Sequence, residues 1–119
     1  MDKNTFLNAF KCKVVPVKIG DFDLHIKEWD GKARDRFDSF TAQKFTNGVL
    51  MSLDGISALK VVLSLCDAQG TLMFGDGDIA AVKKLPASVI EEVCGHIDEL
   101  NGLKMTEESV GNSQGAENV

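Results

Sequence analysis

The side chains that could perform acid–base or metal chemistry are few and far apart. The chain of 119 residues has two histidines, His25 and His96, and neither has a Cys, Asp or Glu at a spacing typical of a metal site. General acid–base catalysis needs paired groups with shifted pKa values, and the sequence identifies no such pair. His25 falls on the polar face of a predicted strand, which favours a solvated histidine.

The three cysteines, Cys12, Cys66 and Cys94, are widely spaced and form no Cys-x-x-Cys pair. This spacing predicts neither a disulfide framework nor a zinc knuckle. Cys66 lies in an apolar run and Cys94 lies near the apolar stripe of a predicted helix. We therefore expect both to be small buried side chains rather than reactive thiols.

Two stretches of the sequence partly resemble ligand-binding loops. Asp67 to Asp78 is rich in oxygen ligands, but it lacks the ligand spacing and the closing Glu of an EF-hand. A turn followed by an acidic helix cap accounts for the same residues. Gly75-Asp76-Gly77 resembles the start of a dinucleotide-binding fingerprint without its third glycine or a preceding long parallel strand. We expect no cofactor, no metal and no enzymatic activity.

The clearest predicted element is a β-hairpin around Gly20-Asp21. Pro16 has no N–H group, so its strand is expected at a sheet edge. A lone hairpin is marginally stable in water, so this one should pack against helices. A two-residue loop would pair Ile19 with Phe22 and place six alternating apolar residues on one face. These residues are Val15, Val17, Ile19, Phe22, Leu24 and Ile26.

Helices are predicted after the hairpin. Asp30 is a plausible N-cap for a helix that reaches Phe45 and is ended by Asn47-Gly48. Residues 49–66 are mostly apolar with an ambiguous period. We favour a long helix that ends near Cys66 and is broken or kinked near Asp54-Gly55. The alternative is that residues 61–66 begin a strand, with a turn over 67–70 and a return over 71–74.

Two more helices complete the predicted domain. A short helix after residue 78 carries Ile79, Val82 and Leu85, and a longer one has Pro86 in its first turn and stops at Gly102. The apolar stripe of the longer helix consists of Val89, Ile90, Val93, Ile97 and Leu100. The predicted acidic outer face of the same helix consists of Glu91, Glu92, Asp98 and Glu99. The fold class is α+β: a small, mainly helical domain over residues 13–103 with an N-terminal antiparallel β-hairpin.

Both ends of the chain are candidate contact segments. Residues 1–12 form an arm in which Phe6, Leu7 and Phe10 share one face of a helical turn. So short a helix is unstable alone, so it should dock on its own domain or on a neighbouring subunit. Residues 104–119 are too polar to bury and predict a disordered acidic tail, in which Met105 and Val110 are candidate partner contacts.

Charge and hydropathy exclude several partner classes. The chain carries 13 Lys+Arg and 18 Asp+Glu, a net charge of −5, which makes nucleic acid an unlikely general partner. Residues 1–60 hold 10 basic and 8 acidic side chains and residues 61–119 hold 3 and 10, so copies could associate front to back, or the acidic half could simply aid solubility. We expect no membrane segment and no signal peptide, and hence a cytoplasmic protein.

Three passages, taken in order, resemble the tail assembly chaperones of long, non-contractile-tailed phages and prophages, the lambda-type family. The first is the hairpin from Val14 to Glu28, followed by Trp29 and a charged helix. The second is the apolar run, Gly turn and acidic helix start over residues 63–82. The third is residues 97–103, which end in Leu-Asn-Gly-Leu before an acidic tail with Asn112-Ser113. Gly111 departs from the family, which often has Lys there.

The resemblance implies a non-catalytic chaperone of the host cytoplasm. Such proteins bind the tape measure protein, keep it soluble during tail tube assembly and are absent from the mature virion. In this family a translational frameshift often extends part of the product, and the extension recruits the major tail tube protein. Several copies are expected to self-associate into open oligomers, helical ones included. The alternative is a small acidic regulatory or adaptor protein of a mobile element that binds one globular partner.

Overall fold

The computed structural model describes residues 1–103, and the predicted tail with Met105 and Val110 lies outside them. This part of the chain confirms the predicted α+β fold, with five α-helices, a three-stranded antiparallel sheet and a second, two-stranded hairpin. In chain order the elements are α1 (Lys3–Ala9), β1 (Val14–Ile19), β2 (Phe22–Lys27), α2 (Gly31–Ala42), β3 (Phe45–Thr46), β4 (Val49–Leu50), α3 (Ile56–Ser64), β5 (Leu65–Cys66), a 3₁₀ turn (Asp76–Asp78), α4 (Ile79–Val82) and α5 (Ala87–Asn101).

The first hairpin has the register that the sequence predicts, with Ile19 opposite Phe22. The backbone N–H of Glu28 donates to the carbonyl of Lys13 at 2.8 Å. Since bonded pairs alternate along an antiparallel ladder, Pro16 occupies a position that faces away from β2. The sheet order β1-β2-β5 makes β1 an edge, so the missing N–H of Pro16 costs no bond within the sheet.

One residue of the predicted apolar face of that hairpin is exposed to solvent. Ile19 and Ile26 are buried, but Phe22 is 73% exposed. Phe22 is the first residue after the Gly20-Asp21 turn, and its cross-strand partner Ile19 is buried, so of this pair only Phe22 is exposed. The remaining apolar residues of the pattern lie in or against the core.

The predicted extent of α2 is too long. Asp30 caps the helix as predicted, because its Oδ1 accepts a hydrogen bond from the N–H of Ala33 at 2.8 Å. The helix ends at Ala42, and Asn47-Gly48 forms the turn between β3 and β4 instead of a helix stop. Both turn residues are left-handed, with φ of 54° and 79°, as a two-residue type I′ turn requires.

Residues 49–66 contain parts of both predicted alternatives, the helix and the strand. The predicted long helix is absent before Asp54-Gly55, because Val49–Leu50 form β4 and α3 begins only at Ile56. α3 ends at Ser64, close to the predicted end near Cys66, and Leu65 then pairs with Ile26 of β2, as the alternative of a strand in this region predicts. The chain then turns over residues 67–70 and returns so that Leu72 bridges Cys66.

The last two helices follow the prediction with two corrections. α5 begins after Pro86 and ends before Gly102, whose φ is 67°. Leu85 lies beyond α4 and is exposed. Asp98 does not belong to the acidic outer face, since its Oδ1 lies 2.6 Å from Nζ of Lys60, and the two side chains are only 17% and 7% exposed.

The core forms where the first sheet, α3, α4 and α5 meet. A hydrogen-bonded chain closes one side of it: the indole N–H of Trp29 donates to Oγ of Ser64 at 2.6 Å, and the Ser64 hydroxyl donates to the carbonyl of Lys60 at 2.7 Å. The Trp29 ring also packs on Phe37 with ring centroids 5.0 Å apart. Asn101 accepts from the backbone N–H of Trp29 at 2.8 Å, which ties the end of α5 to the end of the first hairpin.

The buried pair of Lys60 and Asp98 generates the first testable prediction. Lys60→Ala leaves a largely buried carboxylate without its cation, so we expect it to lower the free energy of unfolding by about 3 kcal/mol. The double variant Lys60→Met, Asp98→Leu replaces the ion pair with apolar groups and should retain stability close to that of the wild type. Urea unfolding followed by the fluorescence of the single tryptophan measures both. Equal losses in the two variants would contradict the assignment.

Candidate functional site

The structure places the two histidines on different elements, β2 and α5. His25 is half-buried on β2, opposite Pro16 and Cys66. His96 is half-buried on α5, where it borders a shallow cleft of about 530 Å³ beside β1. Within residues 1–103, no cluster of three or more His, Cys, Asp or Glu side chains could hold a metal ion.

The acidic loop from Asp67 to Asp78 consists of a turn and a cap. Oδ1 of Asp67 accepts hydrogen bonds from the backbone N–H groups of Gln69 and Thr71, both at 2.9 Å. Oδ2 of Asp78 accepts one from the backbone N–H of Gly75 at 2.8 Å. These carboxylates stabilise local backbone, as the turn-and-cap interpretation of the sequence predicts.

The buried cysteines are poor nucleophiles, as expected. Burial raises the pKa of the Cys94 thiol to about 11, and the Sγ atom lies 3.5 Å from the carbonyl of Ser57. Burial, followed by the nearby charge of Asp67, also raises the pKa of Cys66. The thiolate is the reactive form of cysteine, so neither side chain is suited to catalysis at neutral pH. Cys12 is half-buried.

The domain also presents large apolar side chains to solvent. Among residues 1–103, thirteen large apolar side chains are exposed. Four of them lie on the N-terminal arm and five lie in and just after the β3–β4 hairpin. We define the arm surface as Met1, Phe6, Leu7 and Phe10, and the hairpin surface as Phe45, Val49, Leu50, Met51 and Leu53.

The arm surface contains three of the predicted contact residues. Phe6, Leu7 and Phe10 are 55%, 60% and 71% exposed, and the rings of Phe6 and Phe10 lie 5.2 Å apart. All seven residues of α1 are exposed to solvent. The sequence leaves two docking alternatives open for the arm, its own domain or a neighbouring subunit. The structure does not show these side chains packed on their own domain.

The arm is helical because of its cap. Oδ1 of Asp2 accepts a hydrogen bond from the backbone N–H of Thr5 at 2.7 Å, and this bond lowers the pKa of Asp2. A capping carboxylate satisfies N–H groups that have no partner within the first turn of a helix. The cap sets up the helical turn on which Phe6 and Phe10 lie one above the other.

The hairpin surface is missing from the sequence-based predictions, although a signal for it is present. Phe-Thr-Asn-Gly-Val-Leu, residues 45–50, has the Asn-Gly pair typical of a type I′ turn. The base of the hairpin is fixed by a bond of 2.7 Å from the N–H of Met51 to the carbonyl of Lys44. Nζ of Lys44 also lies 4.6 Å from the ring centroid of Phe40.

An ion pair holds the end of the hairpin segment to the body of the domain. Nζ of Lys83, just after α4, lies 2.5 Å from Oδ1 of Asp54, and this hydrogen-bonded cation lowers the pKa of the Asp54 carboxyl. Gly55 follows with a φ of 80°, and a Cβ atom there would lie 3.1 Å from the Phe40 ring. The apolar side chains of the hairpin surface thus project from a well-defined anchor.

The charged surface agrees in part with the sequence. Glu91, Glu92 and Glu99 are exposed on α5, which confirms most of the predicted acidic face apart from Asp98. None of the helices in the described part of the chain is long and apolar enough to cross a membrane.

Comparisons with known proteins give no match: no protein-family model fits the chain, and no curated protein or solved structure is detectably similar to it.

Thiol reactivity provides the second testable prediction. The folded state keeps the proton of Cys94 up to a pKa of about 11, whereas an unfolded thiol titrates near its ordinary value of 9. The unfolded state therefore binds fewer protons between these values, so this thiol's contribution to stability is full below pH 9 and is lost as pH rises towards 11.

At pH 8 we expect iodoacetamide to modify Cys12 in the folded protein and all three cysteines after unfolding. Mass spectrometry identifies the sites, and a Cys12→Ser variant is the control. Rapid modification of Cys94 in the folded protein would contradict the prediction.

Proposed function

We propose that the protein is a non-catalytic tail assembly chaperone of a long-tailed phage or prophage. It binds the tape measure protein, keeps it soluble while the tail tube assembles, and is absent from the finished virion. The observation that carries the proposal is the ordered series of three passages over residues 14–29, 63–82 and 97–103. The folded elements support it: the passages form the first hairpin, the turn that leads into α4, and the Gly102-terminated end of α5.

The distribution of apolar groups supports the same proposal. A chaperone must present apolar surface to water so that it can cover apolar segments of its client. Exposed apolar patches of several hundred Å² mark interaction sites on soluble proteins, and this small domain has two candidates, the arm surface and the hairpin surface. Several of its titratable side chains, in contrast, cap helices and turns or form ion pairs.

The proposed partners follow from the resemblance. The tape measure protein is the client, and the major tail tube protein is recruited through a frameshift-extended form of the chain. The chaperone works in the host cytoplasm and self-associates into open oligomers along the tape measure protein. An extension would attach beyond the tail, residues 104–119, and would leave the packed domain that ends at Leu103 undisturbed.

One observation favours a second candidate function. Glu91, Glu92 and Glu99 give α5 an exposed acidic side, which suits a small regulatory or adaptor protein of a mobile element that binds one basic globular partner. Such an adaptor would have a fixed monomeric or dimeric state, whereas the proposed chaperone grows by open-ended association. Light scattering at rising concentration separates the two candidates.

Co-expression tests the proposed function. We expect the tape measure protein from the same genome to move into the soluble fraction and to copurify with this protein, because its apolar segments are covered as they are made. A tape measure protein from an unrelated phage is the specificity control, and Phe22→Asp, outside both apolar surfaces, is the matched variant that should retain the effect. Continued precipitation of the cognate tape measure protein would refute the proposal.

A further inference from the structure

The chain contains two Asn-Gly pairs in different surroundings. Asn47-Gly48 forms the turn between β3 and β4, and Asn101-Gly102 ends α5. An asparagine before glycine readily loses its side-chain nitrogen as ammonia, because glycine has no Cβ to shield its backbone nitrogen and leaves the backbone free to rotate. Whether this reaction occurs in a folded protein depends on how firmly the two residues are held.

Asn47 is held loosely. Asn47 and Gly48 are both exposed, and within residues 1–103 neither the Asn47 side-chain amide nor the Gly48 N–H takes part in a hydrogen bond. A Cβ atom placed on Gly48 would meet no atom within 4 Å, so water and a closing ring have space there. The strands β3 and β4 have two residues each, and so short a hairpin is marginal in water. The turn therefore opens at low cost.

Asn101 is held at three points. Its Oδ1 accepts a hydrogen bond from the backbone N–H of Trp29 at 2.8 Å, and its Nδ2 donates to the carbonyl of Ile97 at 3.0 Å. The backbone N–H of Gly102, whose nitrogen would have to attack the Asn101 side chain, donates to the carbonyl of Asp98. All three hydrogen bonds must break before a ring can close at this position.

We propose that Asn47 is a modification site, at which the folded chain converts spontaneously to aspartate and isoaspartate, whereas Asn101 stays intact. The reaction requires only the folded chain and water, so it goes beyond the proposed function and does not rest on it. The contrast between the two positions comes from their surroundings, because the dipeptide is the same.

The reaction has two steps. The backbone nitrogen of Gly48 bonds to Cγ of Asn47, and the side-chain nitrogen leaves as ammonia, taking up the proton that the Gly48 nitrogen gives up. Water then opens the cyclic imide. Breaking the bond from the imide nitrogen to Cγ gives aspartate, and breaking its bond to the main-chain carbonyl carbon of residue 47 gives isoaspartate. One water is consumed and one ammonia is released, without oxidation or reduction.

The isoaspartate product changes the second hairpin. Its main chain runs through Cβ and Cγ of residue 47, so the link between β3 and β4 becomes longer. The length of a two-residue turn sets the register of a hairpin, and the longer link no longer fits the pairing of Thr46 with Val49. Both products also add a negative charge at the turn.

Incubation of the purified wild-type chain tests the proposal. The full-length protein is kept at mildly alkaline pH, and peptide mapping by mass spectrometry follows the conversion of each asparagine with time. We expect Asn47 to convert at least about tenfold faster than Asn101, because the hydrogen bonds around Asn101 must break first. Fragmentation that cleaves the Cα–Cβ bond of isoaspartate distinguishes the two products.

Unfolding in urea is the internal control. The two Asn-Gly pairs then have the same freedom, so their rates should become similar. An Asn47 that stays intact in the folded protein and converts only in urea would overturn the proposal. Conversion of Asn101 as fast as that of Asn47 in the folded protein would also overturn it, as would a difference between the two rates that persists in urea.

Amide hydrogen exchange tests the effect on the hairpin. The N–H of Met51 bonds to the carbonyl of Lys44 at the base of the hairpin, so its exchange should speed up in aged wild-type protein in proportion to the isoaspartate content. Asn47→Gly suits the left-handed turn and removes the reactive side chain, so its Met51 exchange should not change with age. Asn8→Gln, at an exposed asparagine followed by alanine, is the control that should age like the wild type. Equal exchange in aged wild type and aged Asn47→Gly would overturn the effect on the hairpin.

Discussion

The domain depends on the need to surround α3. Six of its nine residues are buried, including Lys60 and Ser64, and a helix that is apolar on nearly every side must be covered on nearly every side. α2, α4, α5 and β2 all pack against it. Its two buried polar groups find partners in Asp98 and Trp29, which fix how α5 and the end of the first hairpin approach it. α1 and the second hairpin lie outside this arrangement, and for that reason their apolar residues remain available.

The sequence predicts those elements in which pattern and turn chemistry agree. The register of the first hairpin is recoverable because a two-residue turn and a period of two in the apolar residues give the same pairing. Residues 49–66 resist prediction because a segment that is apolar throughout has no distinct period. Asn47-Gly48 is compatible with a helix stop and with a type I′ turn, since both use left-handed residues. The three apolar residues of the arm are identifiable from sequence, but the hairpin surface becomes visible only when tertiary packing shows which apolar side chains the core does not use.

Several polar side chains of residues 1–103 have structural roles, which agrees with the proposed assembly role. Its carboxylates at helix starts and turns hold backbone N–H groups, its buried lysine neutralises a buried carboxylate, and its buried thiols are protonated. These groups build a rigid small body. The surface left for partners consists of two protruding apolar segments, which is a composition suited to reversible contact with other chains.

Pro16 has a consequence for the proposed assembly, in which many copies gather in one place. The outer edge of β1 offers main-chain groups to any strand that approaches it, and such edges are the usual starting points of β-aggregation. With Pro16 at an outward position and the exposed charge of Lys18 two residues later, an added strand would lose a central hydrogen bond and desolvate an ammonium group. In the proposed assembly, crowding along a long client would therefore not convert the subunits into fused sheets. The subunits would remain separable from the client, which a cross-β assembly would not allow.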